Sequence, residues 1–120
     1  MPEIQMGMGE SRFADIVWAH EPVTSSELVK LGASELGWKR TTVHTVLRRL
    51  CDKGLFRNDG GTVTAVISRA EFYSMRSQKV VEESFCGSLP AFIAAFTSTQ
   101  TLTGEERAEI LRMIENAKED

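Results

Sequence analysis

Apolar residues recur at helical spacing through most of this chain, and one short stretch of β-branched residues interrupts them. Phe13, Ile16, Val17 and Trp18 form a stripe over about residues 10–19, although Gly7 and Gly9 blur its start. Glu21-Pro22-Val23 breaks that helix. Thr24-Ser25-Ser26-Glu27 then has the capping-box pattern, in which hydroxyl and carboxylate satisfy each other's backbone N–H groups. Leu28, Val29, Leu31 and Leu36 carry a second helix to Gly37, with Gly32 weakening its middle. Val43, Val46, Leu47 and Leu50 stand at i, i+3, i+4 and i+7, the inner stripe of a third helix that Gly54 stops. Leu55-Phe56-Arg57, the turn Asn58-Asp59-Gly60-Gly61 and residues 62–67 read as strand, tight turn and β-branched strand. Three helices followed by a hairpin predict a winged helix-turn-helix over residues 1–67.

Residues 68–120 are helical throughout. Ser68-Arg69-Ala70-Glu71 is a second capping box, opening a helix through Phe72, Met75, Val80, Val81 and Phe85 to a stop at Gly87. Ser88-Leu89-Pro90 starts another, with proline tolerated in the first turn, carrying Phe92, Ile93 and Phe96. Thr103-Gly104-Glu105-Glu106 is a third capping box before Ile110, Leu111 and Ile114. Three striped helices in about 50 residues cannot bury their apolar faces alone. The expected solution is a core shared with a second copy, a homodimer built on Phe85, Leu89, Phe92, Ile93, Phe96, Ile110, Leu111 and Ile114. The alternative is packing of the same helices against the first half of the chain. The fold class is therefore mainly α with a small β-hairpin wing, an N-terminal winged head and a C-terminal three-helix dimerisation region.

Charge sharpens this division. The net charge is −3, which looks wrong for a nucleic-acid partner until it is apportioned. Residues 1–67 hold eight basic and eight acidic side chains; residues 68–120 hold six and nine, which is the whole deficit. From residue 37 to residue 57 there are six basic groups and one acidic group, Asp52, a local net charge of +5. Phosphate binding follows the local field, and that field is positive here.

The third helix has the chemistry to use it. Opposite its apolar stripe lie Thr41, Thr45, Arg48 and Asp52, flanked by Thr42, His44 and Arg49. Lys39, Arg40, Thr41 and Thr42 cluster at its N-terminus, where backbone N–H groups and the helix dipole favour phosphate, and Thr41 or Thr42 could also cap the helix. His44, Thr45 and Arg48 are the candidates for base edges: arginine reaches guanine bidentately and a threonine methyl suits thymine. Arg49 and Lys53 serve the phosphate backbone or pair with carboxylates such as Asp52 and Glu27. Arg57 is the wing's one cation, so the wing adds little phosphate affinity.

Other chemistries find no support. His20 and His44 lack a third ligand at useful spacing, so no metal or other cofactor is expected. Glu82-Glu83 and Glu105-Glu106 fall on helix faces with no histidine nearby and read as solvated surface. No phosphate loop or Ser-His-Asp arrangement is present, and no enzyme is expected. Cys51 and Cys86 read as reduced, partly buried thiols, and Trp18 and Trp38 as core. No apolar run approaches the roughly 18 residues of a membrane span, and Met1-Pro2-Glu3-Ile4 lacks signal-peptide character, so a cytoplasmic location is expected.

Val17-Trp18, Glu21-Pro22-Val23-Thr24, Leu28-Val29 and the run of Trp38, Thr42, Val43, Thr45, Leu47, Arg49, Leu50, Lys53, Gly54 and Leu55 resemble the penicillinase-repressor family, the BlaI/MecI/CopY group. Ser84-Phe85, Gly87-Ser88 and Leu102-Thr103-Gly104-Glu105-Glu106 extend the resemblance over nearly the whole chain. The resemblance implies a transcriptional repressor acting as a homodimer on a roughly palindromic, double-stranded DNA operator. It also implies release when a membrane-bound sensor protease signals cleavage in the tail. The family's cleaved bond commonly reads Asn-Phe, and the best-aligned bond here is Ala95-Phe96. The copper-responsive branch ends in a cysteine cluster, and no cysteine follows Cys86, which excludes metal sensing by that route. The family's usual aromatic at the end of the wing is replaced around Ala65-Val66. A winged-helix protein–protein module without DNA binding is the competing reading: the acidic total and weak wing favour it, and the +5 segment opposes it.

Overall fold

A computed structural model describes residues 6–119. The chain divides into two compact units at Met75/Arg76. In the first unit, α1 (Met8–His20), β1 (Val23–Thr24), α2 (Ser25–Leu36) and α3 (Arg40–Asp52) precede the hairpin of β2 (Phe56–Asp59) and β3 (Thr62–Ala65). The beginning of α4 (Arg69–Phe85) completes it. This is a winged helix-turn-helix, as the hydrophobic pattern predicts.

The helix boundaries have local causes. Thr24 accepts from the Glu27 backbone N–H at 3.1 Å and starts α2; Gly37, at φ 68°, ends it in the left-handed region that a side chain would resist. At the wing tip, Gly60 and Gly61 both take positive φ, as a two-residue hairpin turn requires, and the Asn58 side chain accepts from Gly61 N–H at 3.0 Å. β3 ends at Ala65, two residues short of the expected strand.

A third strand was not legible. The sequence reads residues 21–24 as a helix break and a cap, yet Val23 and Thr24 pair antiparallel with Val63 and Thr62, giving the sheet order β1-β3-β2. Two residues carry no periodicity, so only the partner strand reveals them. Glu21 adds a second tie, its carboxylate accepting from the Ala65 N–H at 2.8 Å.

The core of this unit joins every element. Phe13 and Val17 of α1, Val23, Leu28 of α2, Val43 and Leu50 of α3, Leu55, Val63 and Phe72 of α4 are essentially sealed from solvent. Trp18 and Trp38 sit at its margin, half-buried. The Trp18 indole N–H donates to the Ile67 carbonyl at 2.9 Å, and its ring lies 5.3 Å from Phe56 and 5.5 Å from Phe72. Trp38 stacks on Phe13 at 5.5 Å. Arg69 adds an ion pair to Asp15 at 3.0 Å and lies over the Tyr73 ring at 4.7 Å. The hydrogen bond and charge of Asp15 hold the exposed guanidinium's pKa above its ordinary value.

Gly32 reverses its sequence reading. Propensity alone marks it as a weakness in α2, but a Cβ there would lie 2.6 Å from Val43 Cγ2, inside any normal contact distance. The missing side chain lets α2 and α3 approach. Gly32→Ala should therefore destabilise the head by up to about 2 kcal/mol, because overpacking of about 1–3 kcal/mol is set against a gain of about 1 kcal/mol in helix propensity. The urea midpoint measures it, and Val43→Ala should cost less stability in the Gly32→Ala chain than in the parent, because it relieves the clash. A stabilised Gly32→Ala chain would refute the close approach.

The second unit comprises the rest of α4, α5 (Leu89–Thr97) and α6 (Gly104–Asn116). Ser88 caps α5 by accepting from Ala91 N–H, and Thr103 with Glu106 forms the complete capping box of α6. Phe85 and Phe92 meet edge to face at 5.3 Å across the α4–α5 junction. No described residue from 76 to 119 is buried, and Leu89, Ile93, Phe96, Ile110, Leu111 and Ile114 are exposed. Glu82, Glu83, Glu105 and Glu106 are exposed as expected, Glu83 lying 3.8 Å from Lys79. Cys86 differs from expectation: it is exposed rather than partly buried, because it occupies a helix-ending position at φ 50°, next to Gly87 at φ 80°. No single helix among the described residues is long and apolar enough to cross a membrane.

Candidate nucleic-acid interface

The α3 helix is held from behind by four aliphatic side chains, Val43, Val46, Leu47 and Leu50, all buried. Its other face is exposed and carries Arg40, Thr41, Thr42, Thr45, Arg48, Arg49 and Asp52, with His44 half-buried beside them. The cations and hydroxyls selected from periodicity thus lie together on one side of one helix.

The N-terminus of α3 departs from one expectation. Neither Thr41 nor Thr42 is the cap. Lys39 occupies that position without a capping side chain, and the two threonines fall in the first helical turn. An uncapped first turn presents backbone N–H groups and the positive end of the dipole beside Lys39 and Arg40. That arrangement suits a phosphate.

Farther along α3, Thr45 donates its hydroxyl to the Thr41 carbonyl at 2.8 Å. With that proton committed to its own helix, Thr45 offers a neighbour its methyl group and the hydroxyl's acceptor lone pairs, and the methyl fits the apolar contact expected of it. Cys51, on the same helix, is half-buried; burial first and Asp52 second push its thiol pKa up, so it is a poor thiolate.

The C-terminal end of α3 is tied down by a residue that the sequence reading missed. Lys53 Nζ lies 2.6 Å from Glu10 Oε2, and Arg49 Nη1 lies 3.9 Å from Glu10 Oε1. The carboxylate that both cations meet is that of Glu10 on α1, and among the described residues neither shows an ion pair to Asp52 or Glu27. The Glu10 side chain is only 18% exposed, while those of Arg49 and Lys53 are 60% and 32% exposed. A separation of 43 residues leaves no local signal of this pairing. Arg57 stands apart from α3 on β2, exposed on the wing.

Comparison with known proteins places the chain in a family. A penicillinase repressor of Bacillus licheniformis is 25% identical over 118 residues, covering 95% of this chain and 92% of the relative. The solution structure of the Bacillus licheniformis BlaI monomeric form, in complex with the blaP half-operator, is similar at a TM-score of 0.49 and 24% identity. That similarity covers 57% of this chain and 88% of the solved one. The sequence model of the penicillinase repressor family matches residues 6–116, and the chain belongs to that family.

Proposed function

We propose that this protein is a sequence-specific, DNA-binding transcriptional repressor that acts as a homodimer on a palindromic operator. The observation that carries the reading is α3: buried on its aliphatic side, exposed on the side bearing Arg40, Thr41, Thr45 and Arg48, and centred in a segment of net charge +5. Membership of the penicillinase repressor family points the same way. Residues 1–67 form the DNA-binding domain and residues 68–120 the dimerisation domain, with the first turns of α4, up to Met75, packed into the head through Phe72.

Lys39, Arg40, Thr41 and Thr42 hold phosphates at the helix N-terminus, His44, Thr45 and Arg48 read base edges, and Arg49, Lys53 and Arg57 support the grip on the backbone. Two heads joined through the tail enter successive major grooves. The exposed apolar side chains of α5 and α6 supply the shared core, since a stable monomer seldom leaves so many uncovered. Cleavage of α5 at Ala95-Phe96, signalled by a membrane-bound sensor protease, would separate α6 from the dimer and so release the DNA.

The test is binding to an operator selected from a random-sequence pool and to an unrelated duplex, across a salt series. Affinity for both should fall steeply with salt, since each neutralised phosphate contributes a slope of about −0.9 in log K against log salt. Arg48→Ala should cost about 1–3 kcal/mol on the operator and little on the unrelated duplex. Equal losses on both would move Arg48 to the phosphate backbone. Salt-insensitive binding, or none, would favour a protein-binding module instead.

A further inference from the structure

We infer that Glu10 limits the grip of this head on DNA phosphates by competing with them for Lys53 and Arg49. The inference rests on the DNA-binding reading above and assigns a regulatory electrostatic role to a residue outside α3. Glu10 stands in the first turn of α1, and its half-buried carboxylate bridges to both cations at the end of α3, at 2.6 Å and 3.9 Å.

The geometry makes the competition unavoidable. A phosphate oxygen accepting from Lys53 Nζ would sit about 2.8 Å from the ammonium. The Glu10 carboxylate already holds that ammonium at 2.6 Å, so the two anions would stand within roughly 6 Å, closer than the screening length of about 8 Å at physiological salt. The phosphate then gains attraction to Lys53 and meets repulsion from Glu10, so the contact contributes less than a lone lysine would. Arg49, more exposed and more loosely paired, is attenuated in the same sense. Nearly all sequence-independent affinity comes from such phosphate contacts, so a carboxylate here holds down binding to random DNA. A repressor needs that restraint, because competing sites vastly outnumber its operator.

The experiment measures binding of the full chain and its Glu10→Gln variant to a random-sequence duplex over a salt series. The variant should bind about 3–10-fold tighter at low salt, with a log–log slope steeper by about one. Most of that gain should vanish when Glu10→Gln is made in a Lys53→Gln chain, because the cation for which Glu10 competes with phosphate is then absent. Glu10→Asp keeps the charge while spoiling the geometry, and it should stay near the parent slope; a matched thermal melt confirms each variant is folded. Unchanged or weaker binding by folded Glu10→Gln, an equal gain in the Lys53→Gln chain, or a Glu10→Asp chain matching Glu10→Gln would each overturn the inference while leaving the DNA-binding reading intact. A parent chain that binds no duplex even at low salt would overturn both.

Discussion

Aspartate at Ile93 or Leu111 is expected to turn the proposed dimer into a monomer and weaken operator binding by about 10²–10⁴-fold. Both side chains are exposed in the single chain, 45% and 47%, so the substitution costs a monomer little. In a shared apolar core the same carboxylate would be buried without a partner, at a cost of several kcal/mol. Separating the heads then removes the effective concentration that lets the second half-site bind after the first, and that loss has the stated size without any change at the DNA contact. Phe92 is a poorer place for this test, because it packs on Phe85 within its own unit and its replacement would disturb the fold. Sedimentation reports the oligomeric state, and titration of a full operator against a half-operator separates lost avidity from lost contact. The variants should bind the half-operator as the parent does. An unchanged dimer would refute the shared core.

The second large effect is expected at Phe72. Phe72→Ala should destabilise the winged head by about 3–5 kcal/mol, the range for removing a sealed aromatic side chain and leaving a cavity. Phe72 is 1% exposed, lies 5.5 Å from Trp18 and 5.4 Å from Tyr73, and belongs to the same core as Phe13 and Leu50. Intrinsic fluorescence isolates the head, because both tryptophans, Trp18 and Trp38, lie in the first unit. Urea unfolding followed this way should show a lower midpoint with an unchanged slope. If Phe72 served the tail, the tryptophan transition would stay where it is.

These two predictions rest on different kinds of information. The apolar stripes of α5 and α6 are plain in the sequence, as are their caps at Ser88 and Thr103. The structure shows those stripes uncovered. Phe72 appears in the sequence only as one more position in the stripe of α4. Which body it seals depends on residues more than 50 positions earlier, and periodicity along one helix cannot report that. Cys86 shows the same limit on a smaller scale, since helical spacing suggested partial burial and the termination at Gly87 exposes it.

The sequence by itself determined the helices, the wing hairpin and the polar face of α3. Local causes suffice there: a 3.6-residue period, reciprocal caps, a two-glycine turn and a cluster of cations all act within a few residues of one another. Only the tertiary structure decided the pairing of Val23 with Val63, the contact that makes Gly32 necessary, the core role of Phe72 and the link from Glu10 to Lys53. Each joins residues that the chain keeps apart and that packing brings within a few ångströms. Burial and charge energies depend on distance in space, so a sequence can show which groups are available but not which of them meet.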